Sequence, residues 1–170
     1  MQGYIQVYTG NGKGKTTAAL GLSLRAAAAG KKVFIGQFIK GMHYSELDLL
    51  PHIPNITLVQ YGRGCFIYGQ ASQEDIDAAQ AGLTAMTQVL ASGDDDVVVL
   101  DEANIALHYG LISFTALREA LMARAPHVEV VLTGRYAPQE LIDMADLVTE
   151  MREIKHYYNQ GVEARTGIEI

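Results

Sequence analysis

A glycine-rich stretch between an apolar run and a helix-forming run carries the side chains best suited to chemistry. It reads Thr9-Gly10-Asn11-Gly12-Lys13-Gly14-Lys15-Thr16-Thr17. Backbone N–H groups beside glycines, together with the N-terminus of the helix that follows, can wrap a polyphosphate. The ammonium of Lys15 would neutralise phosphate oxygens, and the hydroxyl of Thr16 is a ligand for Mg²⁺. We therefore expect residues 10–17 to bind phosphate groups.

The stretch matches the P-loop pattern G-x-x-x-x-G-K-[ST] except at the first position, where Thr9 replaces glycine. A glycine-rich hairpin is the alternative, which the order of strand, loop and helix disfavours. Lys13 is a second lysine in the loop, and its side chain could contact phosphate or point into solvent. The sequence leaves both roles of Lys13 open.

Two carboxylates end an apolar run in the second half of the chain. Val97-Val98-Val99-Leu100 leads into Asp101-Glu102, an arrangement that resembles the Walker B element of P-loop proteins. We expect Asp101 to bind Mg²⁺ directly or through water, although the pair could instead cap the helix that follows. Glu102 could activate water, orient a metal-bound water or bind a sugar hydroxyl.

Arg135 follows another apolar run, at Leu132-Thr133-Gly134. A guanidinium at a strand end can hold phosphate through two parallel hydrogen bonds, whereas most loop arginines are solvated. The five histidines show no metal-ligand spacing, so we expect no structural zinc site. Cys65 has no obvious base beside it, and we expect it to be a structural thiol.

Strands and helices must alternate to position these groups. Apolar runs predict strands at residues 4–8, 32–39, 56–61, 97–102, 128–132 and 147–154. Helical spacing predicts helices at residues 16–29, 72–93, 113–125 and 138–144, and a short one at 45–50 that Pro51 stops. This alternation predicts an α/β fold of three layers with a mostly parallel central sheet. The glycine loop, Gln37-Phe38, Asp101-Glu102 and Arg135 should then meet at the carboxyl edge of the sheet.

The composition predicts a single domain over residues 1–170, of which 49% are hydrophobic. A formal net charge of −6 gives no general attraction for nucleic acid or an anionic membrane. The single cysteine excludes an intrachain disulfide and suits a reducing compartment. We see no signal-like segment and no apolar run of membrane-spanning length. We therefore expect a cytoplasmic protein that binds neither nucleic acid nor membrane.

Six stretches together resemble one family. They are residues 3–17, Gln37-Phe38-Ile39-Lys40-Gly41, residues 99–102, residues 132–135, residues 149–156 and Gly167-Ile168-Glu169. They are similar to the ATP:corrinoid adenosyltransferases of the P-loop type, which also carry the loop form with Thr9 in place of glycine. The resemblance covers nearly the whole chain, and it implies a P-loop NTPase fold of the RecA-like kind.

The resemblance implies transfer of the 5′-deoxyadenosyl group of ATP to a reduced Co(I) corrinoid, with release of triphosphate, in adenosylcobalamin synthesis or salvage. It implies that Lys15, Thr16 with Mg²⁺, Asp101 and Arg135 stabilise the negative charge of the leaving phosphates. Glu102 belongs to the same expected catalytic group. A homodimer and a flavoprotein reductase that supplies the electron are further implications.

Corrinoid contacts are expected in the loop after Gly62 and Gly64. Many family members place Phe and Trp after this turn, whereas this chain has Cys65 and Ile67 there, with Phe66 and Tyr68 as their neighbours. We expect this loop, together with Phe38, to contact the corrin ring. Core packing is the alternative for the two phenylalanines.

Two other functions remain open at this point. The first is a P-loop kinase or ATPase that acts at the terminal phosphate, with Glu102 as its base. The second is a non-catalytic carrier that binds nucleotide or corrinoid. Turnover of ATP, with and without a reduced corrinoid, distinguishes adenosyl transfer from these two functions.

Overall fold

Six parallel strands form the central sheet of the computed structural model, which describes residues 2–64 and 71–170. The strands are β1 (Ile5–Thr9), β2 (Val33–Gln37), β3 (Ile56–Gln60), β4 (Val97–Asp101), β5 (Glu129–Thr133) and β6 (Leu147–Glu150). The α-helices are α1 (Lys15–Ala28), α2 (Glu46–Leu49), α3 (Gln73–Ser92), α4 (Ala103–His108), α5 (Phe114–Met122) and α6 (Gln139–Met144). Short 3₁₀ turns cover Leu50–His52 and Tyr157–Gln160. The predicted alternation of strands and helices is confirmed.

The strand order in the sheet is β3-β2-β4-β5-β1-β6, and every neighbouring pair is parallel. The carboxyl ends of all six strands therefore lie at one edge, as predicted. β5 separates β1 from β4, which the sequence pattern did not predict. As a result, Thr133 at the end of β5 lies between the glycine loop that follows β1 and Asp101 at the end of β4.

Helices cover both faces of the sheet and give the three predicted layers. In β4, Val97 and Val99 pack in one apolar cluster with α1, whereas Val98 and Leu100 pack in another with α3, α4 and α5. A strand buried on both faces explains the unbroken apolar run at residues 97–100. By the same alternation Asp101 points to the α1 face, towards the glycine loop. No helix in the described part of the chain is long and apolar enough to cross a membrane.

The last strand differs from its prediction. We expected a core strand over residues 147–154, but β6 ends at Glu150 and all four of its residues are exposed. Among the described residues it pairs only with β1, which makes it an edge strand of the sheet. Met151 and Arg152 then leave the sheet and pack against the glycine loop. Met151 therefore packs against the loop and not in the core, and Ile154 is exposed.

The helix in the connection between β2 and β3 is also shorter than predicted. α2 spans Glu46–Leu49, and Pro51 lies inside the 3₁₀ turn that follows and does not mark the end of the helix. Proline is well tolerated in the first turn of a helix because the missing N–H has no partner there. Leu50 is buried against the sheet and anchors this connection.

Ser72 and Asp75 cap the start of α3. The Ser72 hydroxyl accepts a hydrogen bond from the N–H of Asp75, and the Asp75 carboxylate accepts bonds from the N–H and the hydroxyl of Ser72. These hydrogen bonds lower the pKa of Asp75. The reciprocal arrangement satisfies N–H groups that the first helical turn leaves unpaired. Gly93 ends the helix in a left-handed conformation at φ 69°.

We predict that Ser72→Ala lowers the free energy of unfolding by about 1 kcal/mol, because the N–H of Asp75 loses its acceptor. Urea denaturation followed by circular dichroism measures this loss. Thr84→Ala is the matched control on the same helix, since its hydroxyl only donates to the carbonyl of Gln80 one turn earlier. A loss in the control as large as that in Ser72→Ala would contradict the capping role.

Candidate functional site

Four side chains at the carboxyl edge of the sheet donate hydrogen bonds to Asp101. Its Oδ1 accepts hydrogen bonds from the hydroxyls of Thr16 at 2.8 Å and Thr133 at 2.6 Å. Its Oδ2 accepts from Lys40 Nζ at 2.8 Å and Gln37 Nε2 at 3.3 Å. The side chain is 1% exposed. A buried carboxylate of this kind is stable only because four donors surround it.

The side chain of Lys15 lies inside the glycine loop. Its ammonium donates to the carbonyls of Gly10 at 2.8 Å and Gly12 at 2.7 Å, and the residue is buried. Burial lowers the pKa of Lys15, while the carboxylate of Glu102 acts in the opposite direction and Arg135 adds to the lowering. The ammonium of Lys15 is thus a partly desolvated cation, at a position that a phosphate oxygen entering the loop would reach.

The N-terminus of α1 is open towards the same space. The preceding residue, Gly14, has a left-handed conformation at φ 119°, and no side chain caps the helix. The first-turn N–H groups and the positive end of the helix dipole are therefore left for an anion. Within the predicted stretch of residues 10–17, Asn11 and Thr17 are exposed, whereas Thr16 contacts Asp101.

Two glycines of the loop serve packing and not only phosphate approach. A Cβ on Gly10 would lie 2.4 Å from the carbonyl oxygen of Met151, and one on Gly12 would lie 2.7 Å from the same atom. The N–H of Gly12 already donates to this oxygen at 2.7 Å. The chain after β6 therefore forms the outer wall of the loop. The N–H of Gly12 is not free for phosphate in this conformation.

Lys13 lies on the outer side of the loop and binds the C-terminal residues. Its ammonium donates to the carbonyl of Ile168 at 2.9 Å and pairs with Glu169 at 3.3 Å. The Glu169 carboxylate also binds Arg165 and the hydroxyl of Tyr157. These hydrogen bonds lower the pKa of Glu169 to about 2. The sequence left open whether Lys13 contacts phosphate or points into solvent. In the structure its ammonium does neither, because it is bound to protein oxygens beside the glycine loop.

Lys40 is a site residue that the sequence reasoning did not assign. It is buried, pairs with Asp101, and lies 3.7 Å from Glu46 of α2. Burial acts to lower its pKa, but the two carboxylates outweigh this and raise it. Gln37 at the end of β2 also bridges Glu46 and Asp101. A lysine directly after a buried strand was the available signal, since a charge at that position requires a partner.

Glu102 is partly buried beside the loop. Burial, followed by the charge of Asp101, raises the pKa of Glu102 to about 7, although Lys40, Lys15 and Arg135 oppose the shift. Its backbone N–H donates to the hydroxyl of Thr133 at 3.0 Å. Because its carboxyl group is close to half protonated near neutral pH, Glu102 can act there either as a hydrogen-bond donor or as an acceptor.

Backbone strain is concentrated at this edge. Four non-glycine residues in the described chain have positive φ, and three of them follow strands here: Ile39 at 65°, Glu102 at 60° and Tyr136 at 61°. Such conformations cost roughly 1 kcal/mol or more each and persist where the surroundings enforce them. The strained positions follow β2, β4 and β5, whose ends carry the polar groups of the site.

The other predicted site residues divide into three groups. Arg135 is exposed and has electrostatic effects on both Lys15 and Glu102, so it lies near these two residues. Phe38 is completely buried and its ring lies 6.0 Å from that of Tyr61, which favours the packing alternative over a corrin contact. The predicted corrin-loop residues Cys65, Phe66, Ile67 and Tyr68 lie outside the described residues.

A cavity of about 240 Å³ opens next to the Gly62–Gly64 turn. Its walls include the apolar side chains of Ile39, Tyr61 and Leu111, together with Arg63 and Asp75. Gly62 must lack a side chain, because a Cβ there would lie 2.0 Å from the backbone of Ile39. The turn that precedes the predicted corrin loop is therefore fixed against the residue that follows β2.

The donor set fits a magnesium ion of the kind that phosphate loops bind. Thr16 and Asp101 provide a hydroxyl and a carboxylate oxygen 2.8 Å apart at the mouth of the loop. Within residues 2–64 and 71–170, no three His, Cys, Asp or Glu side chains converge into a metal cage. Mg²⁺ in nucleotide sites does not need one, since phosphate oxygens and water supply most of its ligands.

A sequence profile of the family described as ATP:corrinoid adenosyltransferase BtuR/CobO/CobP matches residues 1–170. The chain belongs to this family. A corrinoid adenosyltransferase of Pseudomonas aeruginosa is 38% identical to it over 170 residues, which cover 99% of this chain and 84% of that protein. Corrinoid adenosyltransferase CobA of Salmonella typhimurium is 39% identical over 171 residues, with coverages of 99% and 86%.

The corrinoid adenosyltransferase of Escherichia coli K12 is 37% identical, with the same coverages of 99% and 86%. The resemblance drawn from the sequence motifs is thereby confirmed, together with the P-loop type of α/β fold. Members of this ATP:corrinoid adenosyltransferase family transfer an adenosyl group from ATP to a corrinoid. The roles of single residues rest on the geometry of the site and not on the family match.

We predict that Lys40→Met lowers the free energy of unfolding by about 3 kcal/mol, because the Asp101 carboxylate stays buried without its cation. Urea denaturation without ligands measures the loss. The double variant Lys40→Met/Asp101→Asn should be more stable than the sum of the two single losses implies, since neither charge remains. Strictly additive losses would show that the two side chains do not depend on each other.

A second prediction concerns pH. The folded-state pKa of Glu102, about 7, lies above its ordinary value of 4.5. The folded protein therefore binds more protons than the unfolded chain between these values, and stability falls as pH rises through this window. Relative to Glu102→Gln, the unchanged protein should lose roughly 1–3 kcal/mol between pH 4.5 and pH 8.

Urea denaturation at several pH values, in EDTA and without nucleotide, measures this difference. Glu119→Gln on the exposed side of α5 is the control, and it should follow the pH profile of the unchanged protein. Parallel profiles for Glu102→Gln and the unchanged protein would contradict the raised pKa.

Proposed function

We propose that this chain transfers the 5′-deoxyadenosyl group of ATP to the Co(I) centre of a reduced corrinoid and releases triphosphate. The family match supports the reaction. The observation that carries the residue assignment is the contact between Thr16 and Asp101 at 2.8 Å beside the loop that Lys15 occupies. This contact joins the glycine loop to the carboxylate that would hold the metal ion.

The chemical step is a displacement at carbon. The cobalt electron pair attacks C5′ of ATP, the C5′–O bond breaks, and its electron pair leaves with the triphosphate. Co(I) carries no proton, so the step needs no general base. The protein accelerates it by stabilising charge that accumulates on the leaving oxygens. Lys15, the open N-terminus of α1 and Arg135 are placed to do so.

Mg²⁺ belongs to this proposal as the ion that Thr16 and Asp101 would hold. When bound, it neutralises part of the charge on the phosphates. Lys40 and Gln37 position Asp101 through its second oxygen, so that the first faces Thr16. Glu102 acts in this scheme as a hydrogen-bonding partner for a sugar hydroxyl and not as a base, because the Co(I) nucleophile carries no proton to remove.

The corrinoid is proposed to bind next to the Gly62–Gly64 turn. The cavity of about 240 Å³ there is lined by Gly62 and Gly64 and has apolar side chains in its walls, which suit a corrin ring. Cys65, Phe66, Ile67 and Tyr68 follow this turn in the sequence. Phe38 would support this wall from within the core. A single domain over residues 1–170, a homodimer, a flavoprotein reductase as electron donor and a cytoplasmic location complete the proposal.

A kinase or ATPase is the second candidate, because Glu102 lies near the loop where such enzymes hold a base. Incubation with ATP and Mg²⁺, first alone and then with chemically reduced cobalamin, separates the possibilities. Triphosphate formed only with reduced corrinoid, together with the spectrum of an alkylated corrinoid, supports adenosyl transfer. ADP or phosphate formed from ATP alone would indicate hydrolysis. Binding of both ligands without turnover would indicate a carrier.

We predict that Lys15→Ala and Asp101→Asn each lower the rate of adenosyl transfer by at least roughly tenfold, the scale of one charged contact at the leaving group. The absorbance change of the corrinoid at saturating ATP and Mg²⁺ measures the rate. Arg118→Ala, which removes an exposed cation on α5, is the control and should keep the full rate. Full rates in both site variants would refute the assigned mechanism.

A further inference from the structure

The turn that carries Arg135 is held by a side chain at each of its ends. At its start, the carbonyl of Gly134 accepts a hydrogen bond from Asn104 Nδ2 at 2.9 Å. At its end, the N–H of Ala137 donates to the hydroxyl of Thr9 at 3.3 Å. Asn104 belongs to α4 and Thr9 ends β1, so two separate elements fix the backbone on either side of Arg135.

The amide of Asn104 is buried with one of its polar atoms unpaired. The residue is completely buried in the first turn of α4. Its Oδ1 has no hydrogen-bond partner among the described residues. A buried polar atom without a partner destabilises the folded state. An apolar side chain of similar size would avoid that cost, so packing alone does not account for an amide at this position.

Gly134 brings the turn directly against α4. A Cβ at this position would lie 3.0 Å from the Cβ of Asn104 and 3.2 Å from Oε2 of Glu102. The φ of Gly134 is 129°, a value that favours glycine. Its N–H donates to the carbonyl of Tyr8 in β1 at 3.2 Å, while its carbonyl is bound to Asn104. Both backbone polar groups of the residue before Arg135 are therefore fixed.

The side chain of Arg135 has no comparable restraint. It is exposed, and it forms no hydrogen bond or ion pair in the part of the chain that the structure describes. The next residue, Tyr136, has a left-handed backbone conformation at φ 61°, which a non-glycine residue keeps only where its surroundings enforce it. The direction of the guanidinium therefore depends on the backbone of the turn and on the two side chains that hold this backbone.

We propose that Asn104 and Thr9 are positioning residues that orient Arg135 towards the leaving phosphates. This inference rests on the proposed function, in which Arg135 stabilises the negative charge of the departing triphosphate. A charge-assisted hydrogen bond depends steeply on distance and angle, so a small displacement of the guanidinium weakens its interaction with phosphate oxygens. Loss of either side chain therefore lowers the rate through Arg135, although Asn104 itself is buried.

Rates of adenosyl transfer in single and double variants test this dependence. Asn104→Leu removes the donor at similar volume, and it should lower kcat about three- to thirtyfold while KM for the corrinoid stays within about twofold. Thr9→Val removes the hydroxyl with little change in shape and should also lower kcat. In the Arg135→Ala background, where the guanidinium is already absent, each substitution should change kcat by less than about twofold.

Arg124→Met is the matched control. Arg124 also donates to a glycine carbonyl, that of Gly3 at 3.3 Å, and its Nε is also buried without a partner among the described residues. Gly3 precedes β1, so this contact lies at the amino edge of the sheet, away from Arg135. The control should keep the full kcat. All variants are assayed well below their own melting temperatures, so that unfolding does not contribute to the rates.

Two results would overturn the proposal. Equal losses of kcat in the parent and Arg135→Ala backgrounds would show that Asn104 and Thr9 act independently of Arg135. An unchanged kcat in both Asn104→Leu and Thr9→Val would show that the turn orients Arg135 without them. Because the two substitutions reach the turn from different elements, the test stands even if one of the variants fails to fold.

The affinity for MgATP, measured by calorimetry in the same set of variants, needs no corrinoid chemistry. Asn104→Leu should weaken MgATP binding about two- to fivefold in the parent and by a smaller factor in Arg135→Ala. If the parent shows this coupling but forms no alkylated corrinoid, adenosyl transfer fails and the positioning role stands. If the parent transfers the adenosyl group and neither kcat nor affinity shows the coupling, only the positioning role fails.

Discussion

The burial of one carboxylate organises the carboxyl edge of this sheet. Asp101 is 1% exposed, and a charge so placed is tolerated only while its donors remain in position. Those donors come from three other segments: Thr16 from the start of α1, Lys40 from the turn after β2, and Thr133 from the end of β5. Displacement of any one of these segments removes a bond from the buried charge, so the site and the sheet edge hold each other in place.

The same dependence explains why strain is tolerated at this edge. Ile39, Glu102 and Tyr136 adopt left-handed backbone conformations within three residues of the ends of β2, β4 and β5. Each turn redirects the chain within a few residues, so that side chains close in sequence to buried strand residues reach the glycine loop. An unstrained turn would be longer and would leave the polar groups farther from that loop.

The sequence predicted the parallel α/β fold and the meeting of the glycine loop with Asp101 at one edge of the sheet, because both follow from local patterns of glycines, apolar runs and charges. It did not predict that β5 lies between β1 and β4, since strand order depends on contacts between distant segments. Lys40 was missed for the same reason: its partner is fixed by the pairing of β2 with β4. β6 was misjudged because an apolar run of its length does not distinguish an edge strand from a core strand.

The packing of Gly10 and Gly12 on Met151 has a consequence for how the protein matures. The loop follows β1, whereas its outer wall follows β6, so the two are separated by most of the sheet in sequence. A ribosome-bound chain that has emerged only through β5 would carry the complete glycine motif without the backbone that supports it. The loop therefore acquires its support only once β6 has paired with β1, and a shape set in this way reduces the ordering entropy of binding an anion there.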